Sequence, residues 1–213
     1  GFSRPADETG GDIYDFLPGA DGTWTFLVAD ASGLGIGPAL VIAETRAMLR
    51  VCAMHGAELS CMVQRANDLL SRDLDTCRFV TCFVGRLDPA EGAFSYVSAG
   101  HGPILFHDAA AGRTEQAAAT GLPLGVMEGA DYSQVVRREL APGDFAAITT
   151  DGIFEAAAPN GAAFGIGRMT DRLAADAPRP AAEMLDNLRR AVDDHTAGAA
   201  QADDLTAVVL RRV

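Results

Sequence analysis

Four aspartate-bearing stretches sit at the edges of apolar strands in this chain: GGD at 10–12, VAD at 28–30, TTDG at 149–152 and ADDLT at 202–206. Strands that stack in one core can bring such ends together, which would place Asp12, Asp30, Asp151, Asp203 and Asp204 near one another. Converging carboxylates repel. Two unit charges about 4 Å apart cost roughly 4 kcal/mol at an effective dielectric of 20. Four cannot all stay ionised without protons or cations between them. An all-oxygen set without His or Cys selects Mg²⁺, Mn²⁺ or Ca²⁺ over zinc. Two divalent ions bridged by one carboxylate would offset the repulsion and lower the pKa of a shared water. Taken singly, each aspartate is equally explained as a helix cap or turn residue. The spacing leaves both explanations open.

The second of these stretches continues as VADASGLGIGPAL (28–40), with glycines at 33, 35 and 37. A dinucleotide fingerprint needs Gly-x-Gly-x-x-Gly after a strand and an acidic residue roughly 20 positions on that ends a second strand. Here Pro38 stands where the spaced third glycine would be, and twenty residues on lies a helical pattern. No Gly-Lys-Ser/Thr follows, and Asp30 would repel pyrophosphate. The expectation is that the glycines let the backbone pass close to metal ions, offering a carbonyl.

The remaining periodicity sets the fold class. WTFLVAD (24–30), FVTCFVGRL (79–87), AFSYVSAG (93–100), PILFHD (103–108), YSQVVRREL (132–140), FAAITTD (145–151) and LTAVVLRRV (205–213) read as strands. Helical patterns cover Pro38 to His55, a second segment N-capped by Ser60 and running to about Leu74, and stretches near 167–175 and 180–196. The Ala-rich stretch 109–119 reads as a mobile loop. Strand, two helices, a run of strands, two helices, strand is not the βαβ alternation of a dinucleotide fold. It fits an α+β domain built on antiparallel strands.

Composition narrows the partners. The net charge of −12 disfavours nucleic acid, because backbone phosphates need Lys and Arg. Cys52, Cys61, Cys77 and Cys82 have neither Cys-x-x-Cys nor zinc-ligand spacing and read as buried free thiols, which implies a reducing, cytoplasmic setting. No apolar run approaches the roughly 18 residues of a membrane span, and no signal peptide opens the chain. The opening GFSRPADE reads as the middle of something. The expectation is one domain over 1–213, cut from a longer protein with an N-terminal regulatory region, and able to form a homodimer.

GGDIYDF, VADASGLGIGPAL, FVTCFVGRLD, YVSAGHGPILF, GLPLGV, LAPGDFAAITTDGIFEA, FGIGRM and DDLTAVVL occur in this order. Together they resemble the bacterial phosphatases related to stage II sporulation protein E, within the metal-dependent protein phosphatase (PPM, protein phosphatase 2C-like) superfamily. The resemblance spans nearly the whole chain. It implies an αββα sandwich of two antiparallel sheets flanked by helical layers. It implies hydrolysis of phosphoserine or phosphothreonine with two Mn²⁺ or Mg²⁺ ions, by direct attack of a hydroxide generated on the metals. Asp30 takes the place of the bridging ligand, Ala31 that of the backbone-carbonyl ligand, and Asp12 holds one metal. Asp151 and Asp203 hold the other, with Asp204 as the alternative to Asp203. Asp30 and Asp151 are the expected catalytic pair. The implied substrate is a phosphorylated STAS-type anti-sigma-factor antagonist in a partner-switching pathway.

The chain departs from the eukaryotic branch in two places. Ser32 stands where a proposed general-acid histidine would be, so water is the expected proton source for the leaving group. No arginine matches the eukaryotic phosphate-binding residue, and Arg4 is too far from Asp12 in sequence to be equated with it. His101 in AGHGP is expected to serve structural hydrogen bonding, His55, His107 and His195 to lie at the surface or at helix ends, and Glu155 to support structure. Two other classes compete. A nucleotidyl cyclase or nucleotide hydrolase would need cationic phosphate clamps, and no clustered Lys or Arg lies near the motifs. A metal-stabilised interaction domain would bind its partner without turnover.

Overall fold

The computed structural model describes residues 1–74 and 78–213. Its elements run β1 (Phe2–Arg4), β2 (Asp12–Pro18), β3 (Trp24–Ala31), α1 (Ile36–Met54), α2 (Leu59–Asp73), β4 (Val80–Asp88), β5 (Ala93–Ala99), β6 (Ile104–Asp108), β7 (Arg113–Ala117), β8 (Val136–Glu139), β9 (Phe145–Thr149), α3 (Asp151–Glu155), α4 (Ile166–Ala175), α5 (Ala181–Thr196) and β10 (Leu205–Arg211). One five-stranded sheet has the order β1-β10-β9-β6-β7 and the other β2-β3-β4-β5-β8. Every strand pairing in both is antiparallel.

The period of two along each strand sorts the side chains into three cores. Phe26 and Val28 of β3, Phe83 of β4, Phe94 and Tyr96 of β5, Ile104 and Phe106 of β6, Ala146 and Ile148 of β9, and Val208 of β10 meet between the sheets. The alternate residues Leu27, Ala29 and Ala31 of β3, with Val80, Cys82 and Val84 of β4, face outward. They pack under α1 and α2 through Ile42, Leu49, Met62, Val63, Ala66 and Leu70. On the other side Phe145, Ala147, Leu205, Ala207 and Val209 pack under Met169, Leu173, Met184, Leu188 and Val192 of α4 and α5. Helices cover both outer faces, and the result is the expected αββα sandwich. The inner layer is aromatic: Phe83 stacks on Tyr96 with centroids 5.0 Å apart, and Phe94 stacks on Phe106 at 5.8 Å. Gly85 opens room for this layer, since a Cβ there would run into the Phe26 ring.

Several sequence expectations change. The segment 109–119 holds β7, registered Ile104↔Ala117 through Asp108↔Arg113 on the sheet edge, where a strand is held by its ladder rather than by apolar side chains. The strand expected over 132–140 is confined to β8. β1 was not anticipated. The second helix begins at Leu59 after Glu58 rather than at a Ser60 cap, and no side chain caps it. Cys82 is buried, and burial pushes its thiol up to about 12. Cys52 and Cys61 are only half-buried, and Cys77 lies outside the described residues. His107 is not at the surface: it is buried, stacks on Phe145 at 4.8 Å and bonds the Thr114 hydroxyl through Nδ1 at 2.9 Å.

Candidate metal centre

The same alternation that points Phe26 and Val28 inward puts Asp30 on the inner face at the end of β3. β2 runs antiparallel beside it, and the register Asp12↔Asp30 sets the two carboxylates directly across from each other. From the opposite sheet, β9 ends in Thr149, Thr150 follows it, and Asp151 begins α3. The approach to β10 carries Asp203 and Asp204. The aspartates therefore collect at one open end of the sandwich, where two strand ends from each sheet converge.

Local hydrogen bonds distinguish their roles. Thr150 Oγ1 donates to Asp12 Oδ2 at 2.6 Å, and the Thr206 backbone N–H donates to Thr150 Oγ1 at 3.1 Å. Asp204 is buried and commits both oxygens to backbone: Oδ1 accepts from the Ala6 N–H at 2.7 Å and Oδ2 from the Asp12 N–H at 3.1 Å. It clips the N-terminal segment to the site. Asp203 is half-buried and its Oδ1 accepts the Asp204 N–H at 2.8 Å. The Ala31 N–H donates to the Gly11 carbonyl at 3.0 Å, and the Ala31 carbonyl lies so close to Gly11 that a Cβ there would approach it to 2.9 Å. Close approach is thus served by glycines outside the glycine-rich loop. A Cβ on Gly152 would likewise collide with the Asp204 carbonyl. Gly33 and Gly35 have another task, since their φ angles of 99° and 86° turn the chain into α1.

The electrostatics follow from this crowding. Burial, then the charges of Asp30 and Asp204, push Asp12 up to about 8, against hydrogen bonds from Thr150 and Thr206. Burial, then Asp151, Asp203 and Asp204, push Asp30 up to about 7. Asp151 is raised by burial and by Glu155, and Asp203 by burial and by Asp151 and Asp204. Among the described residues no three His, Cys, Asp or Glu side chains close into a ready-made cage. The donors are pairs of hard oxygens plus a nearby carbonyl, which suits Mg²⁺ or Mn²⁺, ions that keep part of their water shell. The residues present fit such ions.

The other candidates stand around this cluster. Ser32 Oγ accepts the Phe79 N–H at 3.0 Å, and its N–H donates to the Phe79 carbonyl. Its position ties the loop after Asp30 to the start of β4. His101 is buried and bonds Thr81 Oγ1 through Nδ1 at 3.0 Å. Thr81 is the cross-strand partner of Asp30, so His101 braces the strand behind the cluster. Burial lowers its pKa to about 4, which leaves it neutral near pH 7. Glu155 is exposed at the end of α3, and its charge reaches Asp151. Thr150 and Thr206 are the residues the sequence reading missed. Their signal was the threonine beside each aspartate motif, TTDG and DDLT.

The family model for stage II sporulation protein E (SpoIIE) matches residues 20–213. Protein IcfG of Synechocystis sp. is 25% identical over 236 residues, covering 98% of this chain and 37% of that protein. Phosphoserine phosphatase RsbU of Bacillus subtilis is 28% identical over 160 residues, covering 75% of this chain and 47% of RsbU. The chain therefore spans less than half the length of either relative. The SiaA-PP2C domain of Pseudomonas aeruginosa superposes with a TM-score of 0.85 at 22% identity, over 100% of this chain and 85% of that one, a likeness of fold. Among the described residues no helix is long and apolar enough to cross a membrane.

Proposed function

Because the chain belongs to the stage II sporulation protein E family of metal-dependent protein phosphatases, we propose that it hydrolyses phosphoserine or phosphothreonine on a protein. The observation that carries this reading is the directly opposed pair Asp12 and Asp30 at the mouth of the sandwich, with Asp151 and Asp203 beside them. Asp30, whose pKa responds to Asp151, Asp203 and Asp204, is the residue best placed to bridge two ions. Asp12 and the Ala31 carbonyl would complete one site, Asp151 and Asp203 the other. Asp204, with both oxygens engaged by backbone, holds the N-terminal segment rather than an ion. When bound, two Mn²⁺ or Mg²⁺ ions supply Lewis acidity and lower the pKa of water between them.

The chain's own residues orient that chemistry. The Thr150 hydroxyl fixes one oxygen of Asp12. The buried, neutral His101 braces Thr81 behind Asp30. The Ser32 hydroxyl oxygen accepts from the Phe79 N–H, and His101 is buried behind the cluster. Water is the proposed proton donor to the departing serine or threonine oxygen, in keeping with the absence of a histidine at Ser32. The proposed substrate class, a phosphorylated STAS-type anti-sigma-factor antagonist, rests on analogy with the family; the likeness to a phosphoserine phosphatase supports a phosphorylated substrate.

The test is phosphate release from p-nitrophenyl phosphate with Mn²⁺, with a chelator, and for Asp30→Asn. Turnover that requires Mn²⁺ and is lost in Asp30→Asn is expected. Loss of about 100-fold or more is the scale for removing a group that organises transition-state charge. Equal turnover with and without chelator would defeat the metal reading.

A further inference from the structure

The loop that carries Asp203 is tied to the opposite end of the chain by one side chain. Gln201 Nε2 donates to the Asp203 carbonyl at 2.8 Å and to the Arg4 carbonyl at 2.9 Å. Its Oε1 accepts from Arg4 Nε at 2.8 Å. Arg4 Nη1 then reaches Asp193 Oδ1 on α5 at 2.8 Å. Arg4 ends β1 and pairs in register with Leu205 at the start of β10. One planar amide thus joins the first strand, the approach to the last strand and, through Arg4, the last helix.

This network acts on the Asp203 carbonyl, and the Asp204 N–H acts on the carboxylate itself. Both contacts meet at the peptide unit between Asp203 and Asp204: Gln201 fixes its carbonyl, and its N–H fixes the carboxylate. Beside it lies a cavity of about 170 Å³ lined by Arg4, Gln201, Asp203, Gly152 and Glu155. The cavity gives a released Asp203 loop somewhere to go. A carboxylate free to move must be ordered when an ion binds, and that cost is subtracted from affinity. A carboxylate already held in place avoids it.

We propose that Gln201, anchored by Arg4, is a positioning residue that holds Asp203 in the orientation a divalent cation needs. It sets metal affinity rather than the chemical step. The inference rests on the reading above that Asp203 holds a metal. Contacts that orient ligand side chains cost about 10-fold to 100-fold in metal affinity when lost, and an amide with two engaged donors is such a contact.

The experiment is direct Mn²⁺ titration of chelator-treated protein, with free Mn²⁺ read by its electron paramagnetic resonance signal. Metal-free melting temperatures are recorded for each variant. Gln201→Glu is the sharp variant: it keeps the shape and the Arg4 Nε contact but removes both donors. About 10-fold weaker Mn²⁺ binding is expected for Gln201→Glu and Gln201→Ala. Turnover of p-nitrophenyl phosphate should return to the wild-type level at saturating Mn²⁺. A folded Gln201→Glu with wild-type Mn²⁺ affinity overturns the positioning role and leaves the metal reading intact. A loss of turnover that saturating Mn²⁺ does not restore also overturns it. Wild-type protein that binds no Mn²⁺ overturns both. Should the Gln201 variants fail to fold, Arg4→Lys removes the Nε contact while keeping charge opposite Asp193. It should weaken Mn²⁺ binding in the same direction, and unchanged affinity there rejects the proposal.

Discussion

Asp12 and Asp30 hold carboxyl groups pushed up to about 8 and about 7, chiefly by burial and then by neighbouring charges. In an unfolded chain such groups titrate near 3.9. Between about pH 4 and pH 8 the metal-free folded protein binds protons that the unfolded chain has released. Its stability is therefore fully present below the unfolded pKa and falls as pH rises through the folded values. Metal-free protein should melt at progressively lower temperature from pH 5 to pH 8. Asp12→Asn, which cannot ionise, should flatten that decline. Thermal denaturation in chelator at four pH values measures it, and a melting temperature that rises over this range in wild type would contradict the crowding argument. The two threonines at the site act at the same scale, since Thr150 spends its hydroxyl proton on Asp12.

Among the elements, β4 shows how the layers constrain one another. Its inward residue Phe83 joins Tyr96 and Phe26 in the aromatic layer. Its outward residues Val80, Cys82 and Val84 seal the α1 and α2 side. Gly85 is the position where the neighbouring strand's Phe26 ring occupies the space a side chain would need. Gly85→Ala must displace that ring, and overpacking of this kind costs about 1–3 kcal/mol. Urea denaturation should show that loss, and a variant as stable as wild type would mean the layer yields freely. α2 shows a different constraint. Its amphipathic spacing was readable, yet buried Asn67 at its centre donates to the Met127 carbonyl at 3.0 Å and accepts from the Gly125 N–H at 3.1 Å. That polar contact fastens the segment after GLPLG to the helix, and helical periodicity does not reveal it. β7 was hidden for a related reason: its partners on the sheet edge are backbone groups, which composition does not display.

For the molecule as a whole, the sandwich keeps several carboxyls together at one end of two stacked sheets inside a chain of net charge −12. That field favours cations over anions. A ligand that binds only the folded form at 100 times its Kd adds about 2.7 kcal/mol of stability. For a protein of this size that is a melting-temperature rise of about 5–10 °C. Mn²⁺ should produce such a rise in wild type and little or none in Asp30→Asn. Differential scanning fluorimetry decides it, and an equal rise in both proteins would place the stabilising ion elsewhere.

The four longer helices, most of the strands, the aspartates at strand ends and the family were legible in the sequence, whereas β1, β7 and α3 were not. Alternation and short motifs are local, and local patterns survive in one dimension. The family pattern ranked Asp203 ahead of Asp204 as a ligand, but what engages each carboxylate was not legible. Asp203 and Asp204 differ only in what meets them: Asp204 receives N–H groups from Ala6 and Asp12 nearly two hundred residues away. The true work of the glycines, the burial of His107 and the Gln201 bridge from β1 to the Asp203 loop are likewise products of chain crossings. A hydrogen bond depends on where two distant backbones come to rest. Only the packed sandwich decides that.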